Sequence, residues 1–173
     1  MLGNNFTVKN FGVGGSAVTH NSSKPYMNQV AFLKALDFDP DVVIIMLGTN
    51  DANNNNSQNI PAFSSDYQKL INRFSDLPGK EQIWLVEPPP ILENSLNLSD
   101  TNLVQGVIPQ IQQVAATLSL PTIDMHSAML NYTEYIGDGV HPDSNGASFI
   151  ANGIENAISS GFDQYGQPIE PIG

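Results

Sequence analysis

The sequence predicts a three-layer α/β domain, in which a parallel β-sheet lies between two layers of helices. Short apolar runs alternate along the chain with segments of helical periodicity, the pattern of such a domain. The runs are apolar at successive positions, which indicates strands buried on both faces. The chain has 173 residues, 40% of them hydrophobic and 13% charged, enough to bury the core of one folded domain.

Four segments are predicted strands: residues 6–11, 42–47, 83–86 and 122–125. The second is continuous and β-branched, which makes it the clearest of the four. The first is mixed in character. Because parallel strands place their carboxyl ends at one edge of the sheet, we expect a functional site beyond that edge.

Three helices are predicted between and after the strands. Pro61 can occupy the first turn of one helix, whose apolar side chains continue to Phe74. Asp100 is the expected N-cap of the second, which Pro109 should kink or restart. Ser144 is the expected N-cap of the third. We predict a loop at residues 53–56 and a single domain over residues 1–160. Gly161 is expected to stop the last helix, and residues 161–173 to form a loose tail.

Composition excludes several classes of function. Six basic and 17 acidic residues give a net charge of −11, which argues against binding nucleic acid or an anionic membrane surface. The longest apolar run, residues 42–47, is too short to cross a bilayer. The absence of cysteine excludes a disulfide scaffold, a thiolate metal site and a cysteine nucleophile.

Three polar or glycine-rich segments lie where a site is expected. They are Gly12-Val13-Gly14-Gly15-Ser16, Gly48-Thr49-Asn50-Asp51 and Asp138-Gly139-Val140-His141-Pro142. Taken singly, each has an ordinary explanation: a tight turn, a turn after a strand, and a solvated Asp–His pair before a helix.

In this order, the three segments resemble blocks of the SGNH (GDSL-type) hydrolases, particularly the carbohydrate or sialate O-acetylesterase-like branch. The resemblance covers about residues 1–160 and implies a flavodoxin-like parallel sheet. It implies that Gly15 donates a backbone N–H, and Asn50 its side-chain amide, to the oxyanion. It also implies that His141 is the general base and that Asp138 orients it. No cofactor and no metal ion is implied.

These roles agree with the chemistry of ester hydrolysis. Negative charge develops on the carbonyl oxygen, so hydrogen-bond donors must be fixed in advance. Glycine at position 15 lets the backbone approach a substrate closely. The imidazole of His141 can carry a proton near neutral pH, and Asp138, three residues earlier, can fix its tautomer.

The first family block, a strand ending in Gly-Asp-Ser, does not occur in the sequence. The resemblance aligns Leu2-Gly3 with the end of the first helix, so we expect the first strand, the serine loop and that helix to lie upstream of Met1. Three explanations stay open: a truncated sequence, completion of the site by another polypeptide, or a remnant that binds carbohydrate without catalysis. Ser16 is the only serine beside Gly15 and therefore the one substitute nucleophile, although a turn serine is the better interpretation.

Four further side chains need an interpretation. His20 is expected in an exposed loop, and His126, with no carboxylate near it in sequence except Asp124, is expected to be structural or exposed. Asp51 could support Asn50 or simply be solvated. Trp84, inside a predicted strand, is expected in the core.

The leading hypothesis is an esterase that removes short acyl groups, acetyl in particular, from a small ester or an acetylated carbohydrate. The alternative is a catalytically inactive carbohydrate-binding or scaffold protein. The missing first strand would leave an unpaired edge beside residues 42–47, so we expect a homo-oligomer. The acidic, asparagine-rich composition favours an extracytoplasmic location.

Overall fold

The computed structural model describes residues 6–79 and 82–160, and these contain a parallel sheet of three strands. The strands are β1 (Val42–Ile45), β2 (Gln82–Glu87) and β3 (Thr122–Asp124), in the order β1-β2-β3. Val43 pairs with Ile83 in the first ladder, and Val86 with Ile123 in the second. The predicted α/β architecture is therefore confirmed, as are three of its four strands.

Six α-helices accompany the sheet in the described residues: α1 (Val30–Asp37), α2 (Phe63–Ser75), α3 (Asp100–Asn102), α4 (Ile108–Leu118), α5 (Met125–Met129) and α6 (Ser144–Ser160). None of the described helices is long and apolar enough to cross a membrane. The predicted tail, with Gly161 at its start, lies outside the described residues.

The two faces of β2 define the two halves of the core. Ile83 and Leu85 point to the cluster that includes apolar residues of α2 and α4. Trp84 and Val86 point to the opposite face, where residues of α5 and α6 pack. Because successive strand residues point to opposite faces, β2 is covered by helices on both sides. Trp84 is fully buried, so its predicted place in the core is confirmed.

The prediction that β1 is buried on both faces is wrong. Val43 and Ile45 are buried against the first cluster, but Ile44 is 41% exposed and Met46 is 39% exposed on the other face. The reason is position in the sheet, since β1 is an edge strand and the second cluster forms around β2, β3, α5 and α6.

The predicted strand at residues 6–11 is also wrong, since these residues have no regular secondary structure. Phe6 is 42% exposed and Val8 is 76% exposed. No described strand runs beside the segment, so its backbone has no ladder partner, and the strand preference of Phe and Val is not sufficient to form one alone.

The helix starts differ from prediction by one or two residues. Ser99, rather than Asp100, caps α3 by accepting the N–H of Asn102. Asp143, rather than Ser144, accepts the N–H groups of Asn145 and Gly146 at the start of α6. In both places the side chain one residue earlier has the better reach.

Two prolines shape the helices between β1 and β3. Pro61 lies inside a 3₁₀-helix (Asn54–Ala62), and α2 begins after it at Phe63. Pro109 restarts the helix as predicted: it follows a π-helical turn (Leu103–Val107), closed by the bond from Ile108 N–H to Leu103 O, and stands in the first turn of α4. Proline lacks an N–H, so a helix start suits it.

Candidate active site

The candidate site lies at the edge of the sheet where the strands end. Gly48 and Asn50 follow β1, three buried prolines (residues 88–90) follow β2, and His126 follows β3. The three strands are parallel, so these segments lie at one edge. The glycine turn and the Asp138–His141 turn are held at this edge by contacts with these segments.

The glycine turn, residues 12–16, is fixed by hydrogen bonds to its backbone. Ser16 N–H and Oγ both donate to Val13 O, at 3.1 and 2.7 Å. Lys24 Nζ donates to Gly14 O at 2.7 Å. Gly15 has a φ of +76°, a conformation that favours glycine, and the space where a side chain would stand is open. A substrate can therefore approach the Gly15 backbone closely.

The segment after β1 is joined to the glycine turn at two places. Asn50 Nδ2 donates to Ser16 O at 3.1 Å. The two carboxylate oxygens of Asp51 accept the N–H groups of Val18 and Thr19, both at 2.9 Å. Because the Asn50 amide carries two hydrogens, one remains for a ligand after the bond to Ser16. Asn50 and Gly15 are thus held within one hydrogen-bonded unit.

Asp51 is a buried positioning group that the sequence suggested only in part. It is 1% exposed, and it holds residues 18 and 19 rather than bonding to Asn50. Burial raises the pKa of its carboxyl, although the hydrogen bonds from Val18 and Thr19 lower the pKa in part. Since the partners are backbone groups more than 30 residues away, no local pattern identifies this role.

Asp138 and His141 form a second hydrogen-bonded unit. Asp138 Oδ2 lies 2.7 Å from His141 Nδ1, and Asp138 Oδ1 accepts the N–H groups of Val140 and His141 at 2.9 and 2.7 Å. The His141 backbone bond, the ring bond and the Val140 bond hold the pKa of Asp138 well below its ordinary value. Because an ionised carboxylate only accepts, Nδ1 carries a proton, and in the neutral ring Nε2 is free to act as a base.

The turn that carries His141 is exposed but anchored. The His141 side chain is 66% exposed, whereas Val140 beside it is buried in the core. Leu92 N–H, in the segment after β2, donates to Gly139 O at 2.8 Å. A Cβ at Gly139 would overlap the backbone carbonyl oxygen of Glu93, so only glycine allows this approach. Leu92 therefore joins the turn to the edge of the sheet.

The structure accordingly gathers the predicted site residues into two units, Gly15 with Asn50 and Asp138 with His141, at one edge of the sheet. Ser16 is 1% exposed and its hydroxyl is bonded to Val13 O, which is the geometry of a turn serine. His20 is exposed, as expected. The described residues contain no group of three or more His, Cys, Asp or Glu side chains arranged to hold a metal ion.

His126 is structural, one of the two expected alternatives, but its carboxylate partner is distant in sequence. Its Nε2 lies 3.0 Å from Asp100 Oδ1, and the residue is 9% exposed. Asp124, the nearest carboxylate in sequence, instead accepts the N–H of Ser127 at the start of α5. Asp100 is the first residue of α3, which follows β2 in the chain, so the pair forms only in the folded chain.

The sequence profile of the GDSL-like Lipase/Acylhydrolase family matches residues 1–148, and the match includes both units of the candidate site. The chain belongs to this family. An acetylxylan esterase from Xylanibacter ruminicola is 36% identical over 176 residues, which cover 91% of this chain and 37% of that protein. The family member described here thus spans 37% of the length of this curated relative.

Solved structures support the fold of this family member. A protein from Agrobacterium tumefaciens assigned as an arylesterase has a TM-score of 0.71 at 22% identity, covering 92% of this chain and 82% of that one. An acetyl xylan esterase, AlAXEase, has a TM-score of 0.65 at 20% identity, covering 84% of this chain and 77% of that one. Both share the SGNH hydrolase fold that the sequence resemblance predicted.

Proposed function

We propose that this chain provides the base, its orienting carboxylate and the oxyanion donors for hydrolysis of short acyl esters by serine acyl transfer. The observation that carries the proposal is the hydrogen bond between His141 Nδ1 and Asp138, on the sheet edge that also carries the Gly15–Asn50 unit. Acyl transfer requires a His–carboxylate pair and preorganised N–H donors, and both are present at this sheet edge.

Each group has a defined part in the reaction. His141 Nε2 accepts the proton of the attacking serine hydroxyl, and the serine oxygen bonds to the ester carbonyl carbon. The carbonyl oxygen becomes an oxyanion, which accepts from Gly15 N–H and from the second hydrogen of Asn50 Nδ2. His141 then protonates the leaving alkoxide, and an acyl-serine remains. Water then gives a proton to the same nitrogen and its oxygen bonds to the acyl carbon. The bond from that carbon to the serine oxygen breaks, the serine oxygen takes the proton back from His141, and the carboxylic acid leaves. Asp138 holds the ring and stabilises its protonated form.

We propose that none of the serines in these 173 residues is the nucleophile. No Gly-Asp-Ser occurs in the sequence, and Ser16 is buried with its hydroxyl bonded to Val13 O. A nucleophile must reach both the base and the substrate, and Ser16 would first have to break that bond and become exposed.

The proposed substrate is an acetylated carbohydrate of the xylan class. The support is the 36% identity to an acetylxylan esterase, over 91% of this chain. The chemistry fits, because an acetyl ester presents a small carbonyl group that the open space beside Gly15 can admit. The absence of Gly-Asp-Ser favours one alternative, a chain that binds such a carbohydrate without turning it over.

The test uses the 173-residue chain and a serine-block fusion, in which a strand, a Gly-Asp-Ser loop and a helix from a family member precede Met1. Acetate release is measured from 4-nitrophenyl acetate and from acetylated xylo-oligosaccharides. We expect turnover from the fusion and none from the fusion with alanine in place of its Gly-Asp-Ser serine. A fusion that releases no more acetate than that serine variant would contradict the proposal, and calorimetric binding without turnover would support the alternative.

The oxyanion role has its own test in the same fusion. Asn50→Ala should lower kcat by about 10²–10³-fold, the usual effect of removing one such donor. Asn55→Ala, an exposed asparagine of the neighbouring 3₁₀-helix, is the matched control and should leave kcat unchanged. Equal effects of the two substitutions on kcat would contradict the assignment of Asn50 as an oxyanion donor.

A further inference from the structure

The segment after β2, residues 91–94, supports the His141 turn, and we name it the bracing segment. Its Leu92 N–H donates to Gly139 O at 2.8 Å, and its Glu93 backbone lies against the Cα of Gly139. The bonds that Asp138 makes are to Val140 and His141, within the turn itself. The bracing segment therefore influences where the whole turn lies relative to the sheet.

The bracing segment is itself stiffened by a side chain. Asn94 Oδ1 accepts the N–H groups of Leu96 and Leu98, at 2.9 and 3.2 Å. Asn94 Nδ2 donates to Leu92 O and Leu98 O, at 2.8 and 3.0 Å. These four bonds fix the loop internally, but they do not attach it to the rest of the domain.

Asp100 provides such an attachment. Its Oδ1 accepts Ile91 N–H at 2.9 Å and lies 3.0 Å from His126 Nε2. Because Ser99 already caps α3, the Asp100 carboxylate is left for these tertiary contacts. His126 is buried and stands in α5, directly after β3. One carboxylate oxygen therefore joins the bracing segment to the elements that follow both β2 and β3.

We propose that Asp100 is a positioning residue for the general base: by holding Ile91 it fixes Leu92, which in turn fixes Gly139 and the Asp138–His141 pair. The proposal rests on the proposed function, since it assigns Asp100 to the reaction that His141 serves. Asp100 acts through the backbone of the bracing segment and has no contact with substrate in this role.

Substitutions at Asp100 separate positioning from loss of charge. Asp100→Ala removes both contacts. Asp100→Asn retains an Oδ1 that can accept neutral hydrogen bonds from Ile91 N–H and His126 Nε2. This variant should therefore keep most of the positioning that Asp100→Ala loses. Glu134→Ala is the matched control, because Glu134 is an exposed acid close in sequence to the turn.

The first experiment uses the 173-residue chain and needs no activity. Amide hydrogen exchange of Leu92 and the Nδ1 proton resonance of His141 are measured by NMR, where the chain has only three histidines. In Asp100→Ala, Leu92 exchange should rise by about tenfold or more and the Nδ1 resonance should broaden. Asp100→Asn and Glu134→Ala should resemble the wild type. Unchanged Leu92 exchange and an unchanged His141 resonance in Asp100→Ala would overturn the proposal.

If Asp100→Ala does not fold, Asp100→Glu takes its place. It keeps the charge and moves the oxygens one C–C bond further out, so it should raise Leu92 exchange in the same direction by a smaller factor. Unchanged Leu92 exchange in this variant would equally overturn the proposal.

The second experiment measures kinetics in the serine-block fusion. A displaced base lowers the rate of the chemical step, so Asp100→Ala should lower kcat by about 10–100-fold while KM changes little. Asp100→Asn should recover most of the lost kcat. An inactive wild-type fusion would count against the proposed function alone, because the NMR comparison still decides the positioning role. A rise in KM with unchanged kcat would contradict positioning of the base.

Discussion

Replacing Gly139 with alanine should destabilise the protein at the turn that carries His141. Gly139 has a φ of +83°, and a left-handed conformation costs an L-residue about 1–2 kcal/mol. An added Cβ would also overlap Glu93 O, so the turn must move. That movement breaks the bond from Leu92 N–H to Gly139 O, worth about 0.5–1.5 kcal/mol. The expected total is about 2–3 kcal/mol, or a fall in Tm of about 4–12 °C.

Gly137→Ala is the matched control for this substitution. Gly137 lies two residues earlier, its φ is not positive, and the space for a Cβ is empty. Alanine there should be neutral or slightly stabilising, because it restricts the unfolded chain. Both variants are compared with the wild type by calorimetry or urea unfolding. A Tm for Gly139→Ala within about 1 °C of the Gly137→Ala value would contradict this prediction, since the backbone strain and the overlap with Glu93 O would then cost no stability.

Three further predictions concern the site and the sheet edge. Asp51→Asn places an amide NH₂ against the backbone N–H of Val18 or Thr19, where no hydrogen bond can form. We expect it to lower the free energy of unfolding, measured in urea, by about 1–3 kcal/mol. Since burial raises the Asp51 pKa, protonation of this carboxyl stabilises the wild type as the pH falls through the raised pKa toward the ordinary aspartate range, whereas the asparagine variant does not titrate. The difference in unfolding free energy between the wild type and Asp51→Asn should therefore widen as the pH falls, and a narrowing difference would contradict this. The pKa of Asp138 is lower in the folded than in the unfolded chain. The Asp138 carboxylate therefore stabilises the fold at any pH above the ordinary aspartate pKa, and this contribution is lost only as the pH falls below that value. The carboxyl ¹³C shift of Asp138 should show no carboxyl protonation step as the pH falls to 4, and a protonation step near the ordinary aspartate pKa of 3.8 would contradict this. We also propose that the exposed edge at β1 associates with a second copy. The molar mass measured by light scattering at micromolar concentration should exceed that of one chain, and Ile44→Lys should lower the measured mass. A wild type with the mass of one chain would exclude this association.

The sequence predicted the sheet well where the pattern is local. The apolar runs of β1 and β2 are continuous, and their strand form follows from composition alone. Residues 6–11 failed as a strand because strand formation depends on a neighbour, which a single-sequence pattern does not contain. Ile44 failed as a buried residue for the same reason, since its exposure depends on which strand lies at the edge of the sheet.

The candidate site divides in the same way. The Asp138–His141 pair spans three residues, so spacing alone suggested a contact that the structure contains. The contact between Asp100 and His126 joins residues 26 apart, and neither neighbourhood contains a motif for it. Asp51 was recognised as a candidate support, but its partners come from residues 18 and 19, which only the folded chain brings near. Local hydrogen bonds were therefore predictable, and tertiary ones were not.

We propose that His141 is the general base of an ester hydrolase. The most direct measurement is kcat of the serine-block fusion on 4-nitrophenyl acetate, for the wild type, His141→Ala and His20→Ala. His20 is exposed, and its contact with Asp66 uses the backbone N–H, which makes it the matched control. We expect His141→Ala to lower kcat by about 10²–10⁴-fold and His20→Ala to leave kcat unchanged. A His141→Ala fusion as active as the His20→Ala fusion would exclude His141 as the base.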